Sequence, residues 1–215
     1  MLKQLVILLF LAFNIFLLEA QNRFDNEVAN LQKKYKTKWN PNKETTLFTG
    51  SSSIRLWKNL DSLFPNKQII NTGFGASLSG DLLHFSDKLI TNYNPTKVFI
   101  YEGDNDIAYD KSPKEVIENI KSIIKNIKSK KTDTYIVLIS TKPSISRWHL
   151  KKKYKKLNRK LNRITKKDPL IHFVDVWKPM LNGKKLKKSL FGPDGLHMNK
   201  EGYNIWYTAI KKHVK

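Results

Sequence analysis

Short apolar runs alternate along the chain with stretches whose apolar residues recur every three or four positions. The short runs predict five strands, at Thr46–Thr49, Gln68–Asn71, Lys97–Tyr101, Tyr135–Ser140 and Ile171–Asp175. The helical spacing predicts helices around Phe24–Tyr35 and at Ser53–Phe64, Ser77–Ile90, Pro113–Lys128, Leu150–Lys167 and Asn199–His213. Strands that alternate with helices indicate one α/β domain, with a parallel sheet covered on both faces.

The first twenty residues have a different character. Lys3 precedes an almost uninterrupted apolar run from Leu5 to Leu18, and Ala20 offers a small residue at a cleavage point. The run is short for a membrane span and has the layout of a secretory signal. We therefore expect a signal peptide at 1–20, a single domain at 21–215, and export to the periplasm or the exterior. An uncleaved N-terminal anchor is the alternative.

The chain is strongly basic, with 40 Lys and Arg against 18 Asp and Glu and a formal net charge of +22. Much of that charge lies in the stretch Leu150–Lys167, whose apolar residues nevertheless form one stripe at helical spacing. This pattern predicts an amphipathic helix with a basic outer face. The face is either simply solvated or attracted to an anionic membrane or polysaccharide. No nucleic-acid recognition motif accompanies the charge, so we expect no nucleic-acid partner.

Four polar segments that contain glycine follow predicted strands. They are Gly50-Ser51-Ser52-Ser53, Asn71 to Ser77, Glu102 to Asp106 and Asp194-Gly195-Leu196-His197. Ligands of parallel sheets bind beyond the carboxyl ends of the strands, so these segments should converge at one edge. The first segment places serine hydroxyls on a strand-to-helix turn, where the N–H groups of the helix point at whatever a hydroxyl attacks.

A serine becomes a nucleophile beside a base, usually an imidazole that an acceptor holds in one tautomer. Among the five histidines, His197 alone has a carboxylate placed to orient it, because Asp194 lies three residues earlier in a turn before a helix. Acyl transfer also needs donors for the developing oxyanion. The Asn105 amide, with the backbone N–H groups of Ser52 and Ala76, would supply three.

Metal binding is another reading of the carboxylates in Glu102–Asp106. No histidine accompanies them locally, and the chain has no cysteine for a thiolate site or a disulfide. We therefore expect no metal.

Together the four segments resemble the four blocks of the SGNH (GDSL-type) hydrolase superfamily, in its Gly-Ser-Ser-Ser branch, from Leu47 to the end of the chain. The resemblance implies a flavodoxin-like three-layer α/β/α sandwich with a five-stranded parallel sheet, and ester hydrolysis without a cofactor. On the matching positions it implies Ser52 as the nucleophile, His197 as the base, Asp194 as its orienting acid and Asn105 as an oxyanion donor.

Two positions depart from the family pattern. The usual Asp before the nucleophile is Ser51 here, and the oxyanion glycine of the second block is Ala76, whose methyl crowds the loop. Gly75 is the alternative donor if the loop is placed one residue differently. Ser51 and Ser53 compete with Ser52 for the role of nucleophile, and alignment with the family favours Ser52.

The resemblance therefore predicts an exported serine esterase that removes an acetyl or other short acyl group from a carbohydrate or a lipid. Gly75, Asp104 and Trp148 are candidate substrate contacts. A lysophospholipase-type lipid hydrolase, a non-catalytic protein that binds acylated glycans on the same fold, and a surface-adhesion factor acting through the basic helix are the alternatives.

Overall fold

Five parallel strands form the centre of the molecule. The computed structural model describes residues 23–214. They are β1 (Thr45–Gly50), β2 (Gln68–Asn71), β3 (Lys97–Tyr101), β4 (Tyr135–Ile139) and β5 (Ile171–Val174). Their order in the sheet is β2-β1-β3-β4-β5. Each boundary lies within one residue of the predicted one, which confirms the α/β class and the five-stranded parallel sheet. The signal peptide predicted at 1–20 lies outside the described residues.

Helices cover both faces of this sheet. They are α1 (Asp25–Lys36), α2 (Ser52–Arg55), α3 (Ser79–His84), α4 (Ser86–Leu89), α5 (Asp104–Ala108), α6 (Pro113–Lys130), α7 (Lys151–Thr165) and α8 (Lys200–Val214). A two-stranded hairpin follows β5, with β6 at Leu181–Asn182 and β7 at Lys185–Leu186. Within residues 23–214, no helix combines the length and the apolar character that crossing a membrane requires.

Alternate residues of each central strand face two separate cores, as the two-residue period of a strand requires. Leu47 of β1 packs into a core shared with α1, α3, α4, α6 and α7. The next residue, Phe48, packs into a core shared with α8 and the segment that follows α2. The protein is therefore a three-layer α/β/α sandwich.

Two helices are shorter than the sequence pattern predicts. The helix expected at Ser53–Phe64 ends at Arg55 and is followed by consecutive turns. In that segment Trp57 N–H donates to the Ile54 carbonyl and Leu60 N–H to the Trp57 carbonyl, both three residues back. Trp57, Leu60 and Phe64 are buried nonetheless, so these turns satisfy the apolar spacing without a helix.

The helix expected at Ser77–Ile90 is divided into α3 and α4. It begins two residues late, at Ser79, because the Asp106 carboxylate accepts the Ser79 N–H. It breaks at Phe85, whose backbone leaves the helical region, and the adjacent Ser86 hydroxyl donates to the Leu83 carbonyl. The contact with Asp106 joins the second and third polar segments at the edge of the sheet.

Candidate active site

Ser52 is the first residue of α2, immediately beyond β1. The turn before it needs a glycine, because Gly50 has φ of +121° and a Cβ there would lie 2.0 Å from the Tyr101 carbonyl oxygen of β3. Ser51 N–H donates to that same oxygen at 3.1 Å. Ser51 and Ser53 are each 2% exposed, whereas Ser52 is half-buried. Of the three serines, Ser52 is therefore the one that the turn presents at the sheet edge.

The Ser52 hydroxyl lies 2.9 Å from Nε2 of His197. On the other side of the ring, Nδ1 lies 2.5 Å from Oδ2 of Asp194. The second carboxylate oxygen accepts the backbone N–H groups of Leu196 and His197, each at 2.9 Å. This chain of contacts leaves Nε2 able to accept the hydroxyl proton, which is the arrangement that activates a serine.

Asp194 remains ionised at neutral pH. Its partial burial opposes ionisation, but the N–H groups of Leu196 and His197 and the His197 ring lower the pKa of Asp194 to about 2. The loop is also tied to the segment after β4, since the Gly195 carbonyl accepts the N–H groups of Ile145 and Ser146. The carboxylate that orients His197 is thus both charged and fixed.

In the second polar segment the N–H of Gly75 is bound, whereas that of Ala76 is not. The Gly75 N–H donates to both carboxylate oxygens of Glu27 on α1, each at 3.1 Å, and Arg55 lies 3.6 Å from that carboxylate. Within residues 23–214, no acceptor takes the N–H of Ser52 or of Ala76. Of the two backbone donors considered for the second segment, Ala76 is therefore the one whose N–H remains available.

Asn105, at the start of α5, supplies a third donor. Its Nδ2 donates to the Ser77 carbonyl at 2.9 Å, and its Oδ1 accepts Nη2 of Arg147 at 3.0 Å. An amide nitrogen carries two hydrogens, and no acceptor within the described part of the chain takes the second one. Asn105 is only 5% exposed, so its second N–H is buried and has no acceptor within the described residues.

Asp104, a candidate substrate contact, lies instead in a buried cluster. Its carboxylate accepts the Tyr101 hydroxyl and Nζ of Lys142 on one oxygen, and Nη1 of Arg147 and the Tyr154 hydroxyl on the other. Burial alone would raise its pKa, but Lys142 and Arg147 hold the pKa of Asp104 well below the usual range. The carboxylate of Asp104 therefore makes four contacts within the protein, and its role as a substrate contact stays a prediction.

The other two candidate substrate contacts also have protein partners. Trp148 stacks on Trp177 with ring centroids 6.1 Å apart and packs against the core beneath α7, while the Gly75 N–H donates to Glu27.

Among residues 23–214, no group of three His, Cys, Asp or Glu side chains is arranged to hold a metal ion.

Two further acids are buried beside Asn105. Burial raises the pKa of Glu102 well above its ordinary value, and its Oε1 accepts the Ser77 hydroxyl at 2.6 Å. Burial also raises the pKa of Asp106, which accepts the Ser79 hydroxyl at 2.6 Å. Glu102 thus holds Ser77, whose carbonyl in turn binds the Asn105 amide, and Asp106 holds Ser79 two residues later.

Glu27, Lys142 and Arg147 were not identified from the sequence as residues of the site. Lys142 and Arg147 lie in the loop that follows the end of β4 at the site edge. The position of that loop in the sequence could have identified them. Glu27 lies outside the four segments, and nothing in its sequence surroundings indicates a contact 48 residues away.

The family model of the GDSL-like Lipase/Acylhydrolase family matches residues 45–205. A Streptococcus pneumoniae protein described as a candidate platelet activating factor is 25% identical in sequence, with 95% of this chain and 99% of that chain covered and a TM-score of 0.78. A GDSL-like lipase from Bacteroides thetaiotaomicron is 24% identical, with 85% and 96% covered and a TM-score of 0.70.

A catalytic mutant of an acetylxylan esterase from Geobacillus stearothermophilus shares the fold at 16% identity, with 80% and 94% covered and a TM-score of 0.68. No curated protein matches the chain. The matched residues run from β1 into α8 and include Ser52, Ala76, Asn105, Asp194 and His197. The chain belongs to the GDSL-like lipase/acylhydrolase family.

Proposed function

We propose that the protein is an exported serine esterase that removes an acetyl or another short acyl group from a carbohydrate or a lipid. One observation carries the proposal: the Ser52 hydroxyl lies 2.9 Å from Nε2 of His197, whose Nδ1 lies 2.5 Å from Asp194. A protein that only binds acylated glycans has no need of a hydroxyl paired with an oriented base, and this contact therefore favours an enzyme.

In the proposed reaction, Nε2 of His197 accepts the proton of Ser52 as Oγ attacks the ester carbonyl carbon. The tetrahedral oxyanion is held by the N–H groups of Ser52 and Ala76 and by the free N–H of Asn105. When the intermediate collapses, the C–O bond to the alcohol breaks and His197 returns the proton to the leaving oxygen. A water molecule then gives its proton to His197 and attacks the acyl-enzyme, which releases the acid and regenerates Ser52.

The exposure of the triad bears on the alcohol part of the substrate. A cleft of about 690 Å³ lies between α1 and the turns after α2, but none of the residues that line it belongs to the proposed triad or oxyanion hole. The His197 and Asp194 side chains are 31% and 50% exposed. A triad this exposed lets a large alcohol part, such as a polysaccharide, extend into solvent. A lysophospholipid is the competing substrate.

Hydrolysis of p-nitrophenyl esters from acetate to palmitate tests this function. We expect activity that falls steeply beyond butyrate and that is absent in Ser52→Ala and His197→Ala, with Ser53→Ala as the matched control. Activity that rises with acyl length would move the assignment to a lipid hydrolase. Full activity in Ser52→Ala would refute the mechanism.

A fluorophosphonate probe separates an enzyme that needs a special leaving group from a binding protein. Such a probe reacts with an activated serine without substrate recognition, so mass spectrometry should find one adduct, on Ser52. An unlabelled Ser52 together with inactivity on every ester would favour the glycan-binding alternative.

Export rests on the layout of residues 1–20. We expect the exported protein to begin at Gln21, which the mass of its N-terminal peptide checks. Leu11→Arg, which interrupts the apolar run, should keep the chain inside the cell with residues 1–20 attached.

A further inference from the structure

Arg147 joins the buried acid of the site edge to the proposed oxyanion donor. One guanidinium nitrogen, Nη1, donates to Oδ1 of Asp104 at 2.7 Å, and the other, Nη2, donates to Oδ1 of Asn105 at 3.0 Å. The planar fork of a guanidinium can serve two acceptors at once in a fixed geometry. The position of the Asn105 amide is therefore coupled to that of Asp104.

This contact decides which way the Asn105 amide faces. Arg147 offers only donors and the Ser77 carbonyl only accepts, so the amide oxygen must face Arg147 and the amide nitrogen must face Ser77. A flipped amide would place donor against donor and acceptor against acceptor. The orientation that leaves one N–H free for an oxyanion is thus imposed by its two neighbours.

The cluster also carries charge. Asp104 is paired with two cations, Lys142 and Arg147, so these three groups leave one positive charge uncompensated. The Lys142 and Asp104 side chains are 1% and 6% exposed, and the Arg147 side chain is 17% exposed. Because Arg147 contacts Asn105 directly, the positive charge of its guanidinium lies behind the amide that would face the oxyanion, where water screens it weakly.

We propose that Arg147 is a positioning residue of the oxyanion hole: it fixes the donating orientation of Asn105 and strengthens that donor with its charge. The inference rests on the proposed function. Arg147 acts through the Asn105 amide, which becomes a better donor when a cation binds its oxygen. Its contribution is therefore larger in the transition state than in the bound substrate, and it affects kcat more than KM.

The test is a double-mutant cycle on p-nitrophenyl acetate. Asn105→Ala should lower kcat by about 10²–10³-fold, and Arg147→Gln by about 10-fold to 10²-fold with little change in KM. In the Asn105→Ala background, Arg147→Gln should change kcat by less than about threefold, because the group through which it acts is gone. Arg147→Lys keeps the charge without the fork and should fall between wild type and Arg147→Gln.

Two controls accompany the cycle. Arg159→Gln removes an exposed arginine of α7 and should leave kcat and KM unchanged. Arg147→Gln should fold, because Lys142, Tyr101 and Tyr154 still bind the Asp104 carboxylate, and its melting temperature checks this.

The inference would be overturned if Arg147→Gln lowered kcat by the same factor in the wild type and in the Asn105→Ala background. It would also be overturned by a higher KM confined to anionic esters, which would make Arg147 a direct substrate contact. If Arg147→Gln kept the wild-type kcat while Ser52→Ala was inactive, this inference would be wrong and the proposed function would stand. If Ser52→Ala were active, the proposed function would be wrong.

Discussion

Ala76 has a backbone conformation that L-residues rarely adopt, with φ of +55°. In this left-handed region the Cβ crowds the following carbonyl oxygen, which costs about 1–2 kcal/mol. Contacts on both sides impose the conformation, because the Gly75 N–H is bound by Glu27 and the Ser77 carbonyl by Asn105. The strain therefore lies at the residue whose N–H the proposed oxyanion hole uses.

Ala76→Gly should relieve that strain. A glycine tolerates positive φ but adds freedom to the unfolded chain, so we expect a net stabilisation of about 0.5–1 kcal/mol, or roughly 1–4 °C in melting temperature. Since the N–H is retained, kcat should be at least that of the wild type. Asn94→Gly, at φ of +43°, is the control and should gain less, because asparagine tolerates this region better than alanine. A destabilised, inactive Ala76→Gly protein would contradict the interpretation.

Asp194 sets the behaviour with pH. With its pKa lowered to about 2, the carboxylate stays ionised from pH 5 to 8. Asp194→Asn should therefore lower kcat/KM by on the order of 10³–10⁴ at pH 8, where the histidine base is unprotonated in both proteins. Steady-state kinetics of both proteins at pH 8 measures this ratio, and a ratio near one would contradict the role of Asp194. Asp175→Asn, which alters a carboxylate that also accepts two backbone N–H groups, is the control.

The same lowered pKa affects stability with a definite sign. Between pH of about 4 and 2 the unfolded chain binds the Asp194 proton more readily than the folded protein does, because an aspartate in a model peptide has a pKa of about 3.9. Asp194 therefore contributes stability above pH of about 4, and that contribution is lost as the pH falls through about 2. Acid unfolding of Asp194→Asn should be correspondingly less steep.

At the scale of elements, the polar segments of the site follow the ends of strands, and α1, which contains none of those four segments, contributes a further contact. β1, β2 and β3 are neighbours in the sheet, so the first three polar segments meet without any long connection. α1 packs against the same core and brings Glu27 to the loop after β2. The N-terminal helix therefore selects which N–H of that loop remains free.

Glu27→Ala tests this role of α1. Without its acceptor the Gly75 N–H can turn towards the site and displace that of Ala76, so we expect kcat to fall about 10-fold with KM nearly unchanged. Asp25→Ala, an acid of the same helix, should have no such effect, and steady-state kinetics on p-nitrophenyl acetate compares the two. A lower melting temperature with an unaltered kcat would show that Glu27 only stabilises the fold.

At the scale of the whole molecule, the surface is strongly basic, in keeping with the net charge of +22. Glu102, Asp104 and Asp106 are buried at the site edge, and one of these acids is paired with a buried cation, Lys142. α7 contains no acidic residue, and it begins just after Arg147, beside the active-site edge. Its outer face could therefore hold the site near an anionic membrane or polymer, as the sequence analysis proposed.

Charge reversal on α7 tests that proposal. Replacing the exposed Lys152, Lys156 and Arg159 by Glu should weaken attachment to anionic lipid vesicles by at least about 10²-fold at low salt, because each lost cation contributes about 1 kcal/mol and each new carboxylate is repelled. The matched control replaces Lys200, Lys211 and Lys212 of α8, which changes the net charge equally. Cosedimentation at low salt and at about 1 M salt, where screening is nearly complete, measures the difference. Equal loss in both variants would attribute attachment to net charge alone.

The sequence by itself determined the sheet and most of the helices. Buried strands of a parallel sheet are short continuous apolar runs, so β1 to β5 could be read to within one residue. The four polar segments are local in sequence, and so is the contact of Asp194 with His197, because three residues of one turn bring them together. These features could be predicted because neighbours along the chain decide them.

Only the tertiary structure decided the rest, because the remaining contacts join distant parts of the chain. The turns after α2 have the same apolar spacing as a helix, and burial against α8 satisfies that spacing without one. Ser51 and Ser53 are buried, whereas the Ser52 hydroxyl contacts His197, and these two facts distinguish Ser52 as the nucleophile candidate. Glu27 and Arg147 lie 48 and 42 residues from the groups they hold, and only the folded chain brings each charge to its partner.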